Sequence, residues 1–91
     1  MSRTLASPRH KALVTFIKKK RDDKGLTQAE VARRIRRYQS FVATLERGQK
    51  RIDVVELIEI AEAIDFDPQD AIRAILKVER VGKGATRRAH V

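Results

Sequence analysis

Residues 27–48 read TQAEVARRIRRYQSFVATLERG. Thr27 and Glu30 have the spacing of a capping box, in which the Thr27 hydroxyl accepts from the Glu30 backbone and the Glu30 carboxylate reaches back. They predict the start of one short helix, and Gly48 is a natural C-cap for a second. Apolar residues recur at helical spacing on both sides of a break near Arg36 and Arg37: Val31, Ala32, Ile35, Val42 and Leu45. Two such short helices must cross steeply at a tight turn.

The flanking segments predict three more helices. Their start signals are the pairs Ser7-Pro8, Asp53-Glu56 and Asp67-Pro68. The first of these helices is predicted to end at Gly25. In the fourth helix we expect one face to point inward, namely Val54, Leu57, Ala61 and Ile64, with Glu56, Glu59 and Glu62 opposite. In the fifth helix we expect the inward residues to be Ile72, Ile75 and Leu76. The sequence therefore predicts an all-α fold of five helices.

The composition predicts one basic domain with a polyanionic partner. The chain has 91 residues, a formal charge of +9 and a pI near 10.7, which favours nucleic acid over an anionic membrane. It has no Cys, and no apolar run approaches the roughly 20 residues of a membrane span. We expect a cytoplasmic, nucleoid-associated protein without a membrane role. The predicted organisation is a flexible arm (1–6), one folded domain (7–79) whose expected partner is nucleic acid, and a flexible basic tail (80–91).

Charge is segregated along the chain. Residues 1–51 carry 15 Lys and Arg against 4 Asp and Glu, whereas residues 52–78 carry 2 against 7. A surface that served only solubility would intersperse the two signs. The segregation predicts a basic face formed by the first half of the chain and an acidic back.

Enzymatic chemistry has no support in the sequence. His10 and His90 lie at opposite ends without a ligand cluster, so neither a metal site nor a general base is indicated. Gly82 and Gly84 follow no strand and do not form a phosphate-binding loop. We expect a protein that is not an enzyme and that has no cofactor and no metal.

The apolar spacing alone fits an ordinary αα-hairpin and a helix-turn-helix equally well. Residues 25–68, GLTQAEVARRIRRYQSFVATLERGQKRIDVVELIEIAEAIDFDP, resemble the phage-repressor or XRE-type helix-turn-helix family. The shared pattern opens with Leu-Thr-Gln-x-Glu-Val-Ala and closes with Leu-Glu-x-Gly. The resemblance implies a lambda-repressor-like domain whose recognition helix, about residues 38–47, enters the DNA major groove.

The resemblance also implies roles at matched positions. Gln28 corresponds to a residue that contacts a phosphate, although an exposed helix start is the alternative. Base-reading positions fall at Gln39, Ser40 and Thr44, whose amide and hydroxyl groups suit base edges. Arg21 and Glu46 match a structural ion pair. Phe41 fits either packing or contact with a thymine methyl group.

The chain departs from the family at the turn, where Arg36 replaces the usual Gly. A left-handed Arg36 would carry roughly 1–2 kcal/mol of strain. Our hypothesis is that Arg37 and Tyr38 contact a phosphate or a base edge, and that Arg36 adds to the electrostatic attraction. Arg33 and Arg34 either add to this electrostatic attraction or simply form the solvated outer face of the helix. Further backbone contacts are expected from the loop residues Arg47, Lys50 and Arg51.

Two functions follow from the sequence. The first is a transcriptional regulator, a repressor that binds an inverted-repeat operator as a homodimer. Its dimer surface is nominated at Val55, Ile58, Val78 and Val81, unless these residues complete the monomer core. The second is an antitoxin or interaction module with a protein partner, a toxin or another regulator, whose DNA binding is autoregulatory.

Overall fold

The computed structural model describes residues 7–78, which form five α-helices. They are α1 (Pro8–Asp23), α2 (Gln28–Arg34), α3 (Gln39–Glu46), α4 (Val54–Ile64) and α5 (Pro68–Leu76). The prediction of an all-α fold with five helices is confirmed. The predicted arm and tail, together with Val81, lie outside the described residues.

Four of the five helices begin at a side chain that caps them. The Ser7 hydroxyl accepts from the His10 backbone (3.0 Å), and Asp67 accepts from the Gln69 backbone (2.8 Å). Reciprocal capping boxes start α2 at Thr27 and α4 at Asp53. The exception is α3, whose N-cap residue makes no side-chain cap bond. Its first turn therefore keeps backbone N–H groups for other partners.

Four connections turn on a residue with positive φ. These residues are Gly25 (71°), Arg36 (61°), Gly48 (75°) and Asp65 (73°). At each of the first three, the positive-φ residue and the residue after it donate the two hydrogen bonds of a Schellman motif. After α2, Arg36 N donates to Arg33 O (3.2 Å) and Arg37 N donates to Ala32 O (2.9 Å). The Schellman motif therefore ends α1, α2 and α3, and among these three turns the one after α2 has arginine in place of glycine.

All five helices contribute to one apolar core. Its buried residues are Leu13, Ile17, Val31, Ala32, Val42, Leu45, Leu57, Ile60, Ile64 and Ala71. Ala32 on α2 is a small buried residue, and α2 packs against α3. The most extensive helix contact joins α1 to α5. The core thus places α2 and α3 on one side of the molecule and α5 on another.

Three residues predicted to face the core are exposed. Val54 is the first residue of α4 and precedes the buried stripe that begins at Leu57. On α5 Ala71 is fully buried and Ile75 packs against the core, whereas Ile72 and Leu76 each follow one of these inward residues and lie in solvent. The predicted inward faces were therefore wrong at these positions.

Candidate nucleic-acid interface

The turn between α2 and α3 is built on a strained arginine. Arg36 has φ 61°, the conformation that favours glycine. Its exposed side chain helps to line a shallow groove that also includes Glu59 and Glu62 of α4. Arg36 therefore has the left-handed backbone conformation that is expected where the family usually has glycine.

The N-terminal end of α3 faces solvent. Tyr38, the N-cap residue, is extended and 86% exposed. Gln39 and Ser40 form the exposed start of the first turn. Thr44, one turn further, is half-buried, and its hydroxyl accepts from Arg47 Nη2 at 3.4 Å. The three residues expected to read bases thus share one helix, with the outermost polar groups at its start.

A bidentate ion pair connects α1 to α3 beneath this surface. Arg21 Nε lies 2.6 Å from Glu46 Oε2, and Arg21 Nη2 lies 2.9 Å from Glu46 Oε1. The two side chains are 11% and 4% exposed. Arg21 Nη1 also donates to Leu26 O at 2.8 Å. The structure therefore contains the ion pair that the family resemblance implied.

Both partners of this pair are held in their charged forms. The hydrogen bond to Glu46 raises the pKa of Arg21, although burial opposes it. Burial by itself would raise the pKa of Glu46, but hydrogen bonds from Arg21 and Gln28 outweigh it and hold that pKa below its ordinary value. An ionised carboxylate can only accept, so it dictates the orientation of any amide that it contacts.

Glu46 extends the network to the surface of α3. Gln28 Nε2 donates to Glu46 Oε1 at 3.0 Å, and Gln28 Oε1 accepts from Gln39 Nε2 at 3.1 Å. Within residues 7–78 the Gln39 amide oxygen and its second N–H have no hydrogen-bond partner. Those two groups match the N6 donor and N7 acceptor of adenine.

The basic side chains around α3 have different partners. Arg37 and Lys50 lie beside Phe41 and Glu56, and Phe41 is half-buried against the core. Arg47 and Arg51 are exposed in the segment after α3. Phe41 therefore has the packing role that the sequence left open.

Sequence reasoning missed the tertiary contacts of two residues. Arg34 Nη1 donates to Ala63 O near the end of α4 at 2.7 Å, a role that neither hypothesis for this residue included. Glu56 was expected only as a helix cap on the solvent face, but its side chain is mostly buried and contacts Lys50 and Arg37. The Arg34–Ala63 and Arg37–Glu56 contacts join segments distant in sequence, and the Lys50–Glu56 contact crosses the loop after α3, so helical spacing gave no signal for them.

The described residues contain no helix long and apolar enough to cross a membrane. Between Ser7 and Val78, no three His, Asp or Glu side chains come together as a metal site would require.

Comparison with known proteins agrees with this architecture. Residues 2–75 match the family described as "Helix-turn-helix domain". A stretch of 44 residues, 48% of this chain, is 43% identical to the uncharacterised HTH-type transcriptional regulator y4dJ of Sinorhizobium fredii. The match spans 57% of the length of that relative.

Solved structures show the same fold. An XRE-family-like protein from Pseudomonas syringae superposes with a TM-score of 0.71 and 33% identity, over 76% of this chain and 84% of that one. The clp gene regulator ClgR from Corynebacterium glutamicum gives 0.70 and 26% identity, over 76% and 90%. The restriction-modification controller protein C.AhdI from Aeromonas hydrophila gives 0.64 and 27%, over 68% and 94%. The chain therefore belongs to the XRE-type helix-turn-helix family of transcriptional regulators.

Proposed function

We propose that this protein is a cytoplasmic, nucleoid-associated repressor that binds double-stranded DNA in a sequence-specific manner, with α3 in the major groove. The observation that carries the proposal is the exposed start of α3, where Gln39 is oriented by Gln28 and Ser40 is open to solvent. A recognition helix reads base edges through its N-terminal residues. The basic turn that precedes α3 adds attraction for phosphates.

We assign the contacts by their position on this surface. Base edges are read by Gln39, Ser40 and Thr44, and Arg37 and Tyr38 reach base edges or the adjoining phosphates. The DNA backbone is contacted by Gln28, Arg36, Arg47, Lys50 and Arg51. Gln28 is the first residue of α2, so its side chain lies at the end of the helix that meets the start of α3.

Homodimer formation would complete the reading surface. One domain offers a single recognition helix, whereas a two-fold dimer reads two half-sites about 34–36 Å apart on an inverted repeat. Val55 and Ile58 are exposed apolar residues on α4, which supports placing the dimer surface there. Val78 is half-buried at the end of the described chain, close to Arg9, whose Nε donates to Val78 O at 2.9 Å.

A protein partner is the second candidate function. Ile72 and Leu76 of α5 are also exposed, in the acidic part of the chain. The exposed acidic side chains on α4 are Glu59 and Glu62, whereas α5 carries one acidic and one basic side chain. An acidic helix suits a basic partner such as a toxin. Stable co-purification with a small basic protein would favour an antitoxin whose DNA binding is autoregulatory.

The primary test is selection from random duplexes. Binding would be measured with competitor DNA at two salt concentrations, and the retained duplexes would be sequenced. The proposal predicts a two-fold symmetric motif. Retention without any motif, lost at the higher salt, would contradict sequence-specific reading.

A further inference from the structure

A compact cluster of charged side chains joins the two ends of α3 to the start of α4. Glu56 accepts from Lys50 Nζ at 3.0 Å and lies 4.0 Å from Arg37 Nη2. The Arg37 guanidinium and the Lys50 ammonium lie 4.4 and 4.9 Å from the centre of the Phe41 ring. We call Arg37, Phe41, Lys50 and Glu56 the cation cluster. The cluster brings together one cation before α3 and one after it.

The charges in the cation cluster do not balance. Two cations share one carboxylate, so one positive charge remains. Asp53 lies at the same helix start, but its carboxylate accepts from the Glu56 backbone at 2.7 Å as the helix cap. Within the cluster the cations therefore outnumber the carboxylates by one, while the Asp53 carboxylate keeps its own charge at the helix cap.

The cation cluster is both anchored and accessible. The Glu56 side chain is 18% exposed and also accepts from the Asp53 backbone at 3.2 Å, so its carboxylate is fixed. The Arg37 side chain is 45% exposed and that of Lys50 is 26% exposed. A cation held over an aromatic face by a fixed carboxylate loses less freedom when it binds an anion than one on a mobile chain.

We propose that Arg37 and Lys50 jointly bind a single phosphodiester of the DNA backbone, with Glu56 and Phe41 as positioning residues. This inference rests on the proposed DNA binding and refines it, because it makes Arg37 a phosphate ligand and not a reader of bases. A phosphodiester carries one negative charge, which matches the excess of the cluster. The contact would clamp α3 by the segments on both of its sides.

The test is the salt dependence of binding to one duplex retained by the wild-type chain. Each phosphate that is neutralised contributes about −0.9 to the slope of log K against log salt. The variants are Arg37→Gln, Lys50→Gln and the double variant, and Arg73→Gln on α5 is the control with the same change in net charge. Glutamine keeps methylene groups against Phe41, and circular dichroism melting verifies that each variant is folded.

A shared phosphate predicts a non-additive result. Each single variant should keep most of the slope, because the remaining cation still neutralises the phosphate, whereas the double variant should lose about 0.9 per bound chain. The double variant Arg37→Lys with Lys50→Gln should have the same slope as Lys50→Gln alone, because binding the phosphate requires a positive charge at residue 37 and not a guanidinium group. Arg73→Gln should leave the slope unchanged.

Other outcomes overturn the inference. A loss of about 0.9 in each single variant would place the two cations on separate phosphates. An unchanged slope in the double variant would mean that the cluster is purely structural. Arg37 would be a base reader if Arg37→Gln lost its preference at one base pair and Arg37→Lys did not restore it. Failure of the wild-type chain to bind any duplex would instead overturn the proposed function.

A second measurement applies if the double variant melts below the assay temperature. Duplexes with one phosphate replaced by a neutral methylphosphonate would be scanned with the wild type and the two single variants. The inference requires binding to be sensitive to the same phosphate position in the wild type and in both single variants, because the remaining cation still contacts it. Loss of sensitivity at a different position in each single variant would contradict it.

Discussion

At the scale of single residues, Arg36 adopts a backbone conformation that lowers the stability of its turn. The turns after α1 and α3 use glycine for the same Schellman geometry, whereas Arg36 adopts φ 61° with a Cβ atom. Left-handed strain costs about 1–2 kcal/mol, and the added freedom of glycine in the unfolded chain offsets about 0.4–1 kcal/mol of any gain. We propose that attraction of the Arg36 guanidinium for DNA offsets this cost.

Replacing Arg36 with Gly should raise the thermal stability. The net gain is expected near 0.5–1 kcal/mol, roughly a few degrees in Tm for a domain of this size. Arg36→Ala is the matched control, because it removes the guanidinium but keeps the Cβ atom and should not raise Tm. Differential scanning calorimetry measures both. An equal rise in both variants would attribute the effect to charge and not to strain.

Gln39 is the residue whose replacement should change base preference. Its amide is oriented by Gln28, which is oriented in turn by Glu46. Gln39→Ala should weaken binding to the selected duplex by about 1–3 kcal/mol and remove discrimination at one base pair in each half-site. The measurement is a titration against all single-base variants of that duplex.

Gln28→Ala supplies the comparison for this residue. A phosphate ligand should weaken binding to every duplex by a similar factor, with some loss of discrimination only at the Gln39 position. If Gln39→Ala also weakened all duplexes equally, Gln39 would be a backbone contact and the assigned base reading would be wrong.

At the scale of helices, the Arg21–Glu46 pair holds α3 against α1. Breaking a buried pair leaves an uncompensated charge and costs about 3–5 kcal/mol. Arg21→Ala should therefore lower the free energy of unfolding by that amount in a urea titration. Lys19→Ala is the control on the same helix, since its ion pair with Asp23 is exposed and should contribute no more than about 1 kcal/mol. If the two variants lost similar amounts of unfolding free energy, the buried pair would contribute no more to stability than the exposed pair.

The same pair should make stability depend on acidity. The pKa of Glu46 is lowered in the folded protein, so its contribution is present above the unfolded value, near 4.5, and is lost as pH falls through the folded value. Glu46→Gln should be less stable than the wild type at neutral pH, and the gap should narrow below about pH 5. Urea unfolding across this range measures it. A constant gap would mean that Glu46 does not titrate differently in the two states.

The sequence predicted helices better than it predicted their faces. Capping pairs such as Thr27 with Glu30 act locally, so the start of α2 could be inferred from spacing alone. The burial of Ala71 instead of Ile72 depends on how closely α5 approaches α1, which a local pattern does not contain. The Arg21–Glu46 pair was reached only through the family resemblance.

The candidate site shows the same division. The exposed positions of Gln39 and Ser40 follow from helical periodicity once the helix start is known. The contacts of Glu56 with Arg37 and Lys50 require the loop after α3 to fold back on the start of α4. Such contacts depend on tertiary packing, so the cation cluster emerged only from the structure.

At the scale of the whole molecule, exposed apolar residues occur on two separate helices, α4 and α5. Val55 on α4 and Leu76 on α5 are equally exposed, at 64% each. Val55 is accompanied by Ile58 one turn further along, and α4 follows directly from the loop that we assign to the DNA backbone. A dimer surface on α4 would therefore lie close to the DNA and fix the spacing of two recognition helices.

Val55→Asp should yield a monomer that binds the inverted repeat weakly, whereas Leu76→Asp should remain a dimer with unchanged affinity. A buried aspartate without a partner opposes association, and a monomer loses the second half-site. Sedimentation equilibrium measures the oligomeric state, and a titration against full and half operators measures the binding. Because the two residues have equal exposure and the two variants the same charge change, the comparison isolates the location of the surface. A monomeric Leu76→Asp beside a dimeric Val55→Asp would move the dimer surface to α5, and α4 would then be the face left for a protein partner.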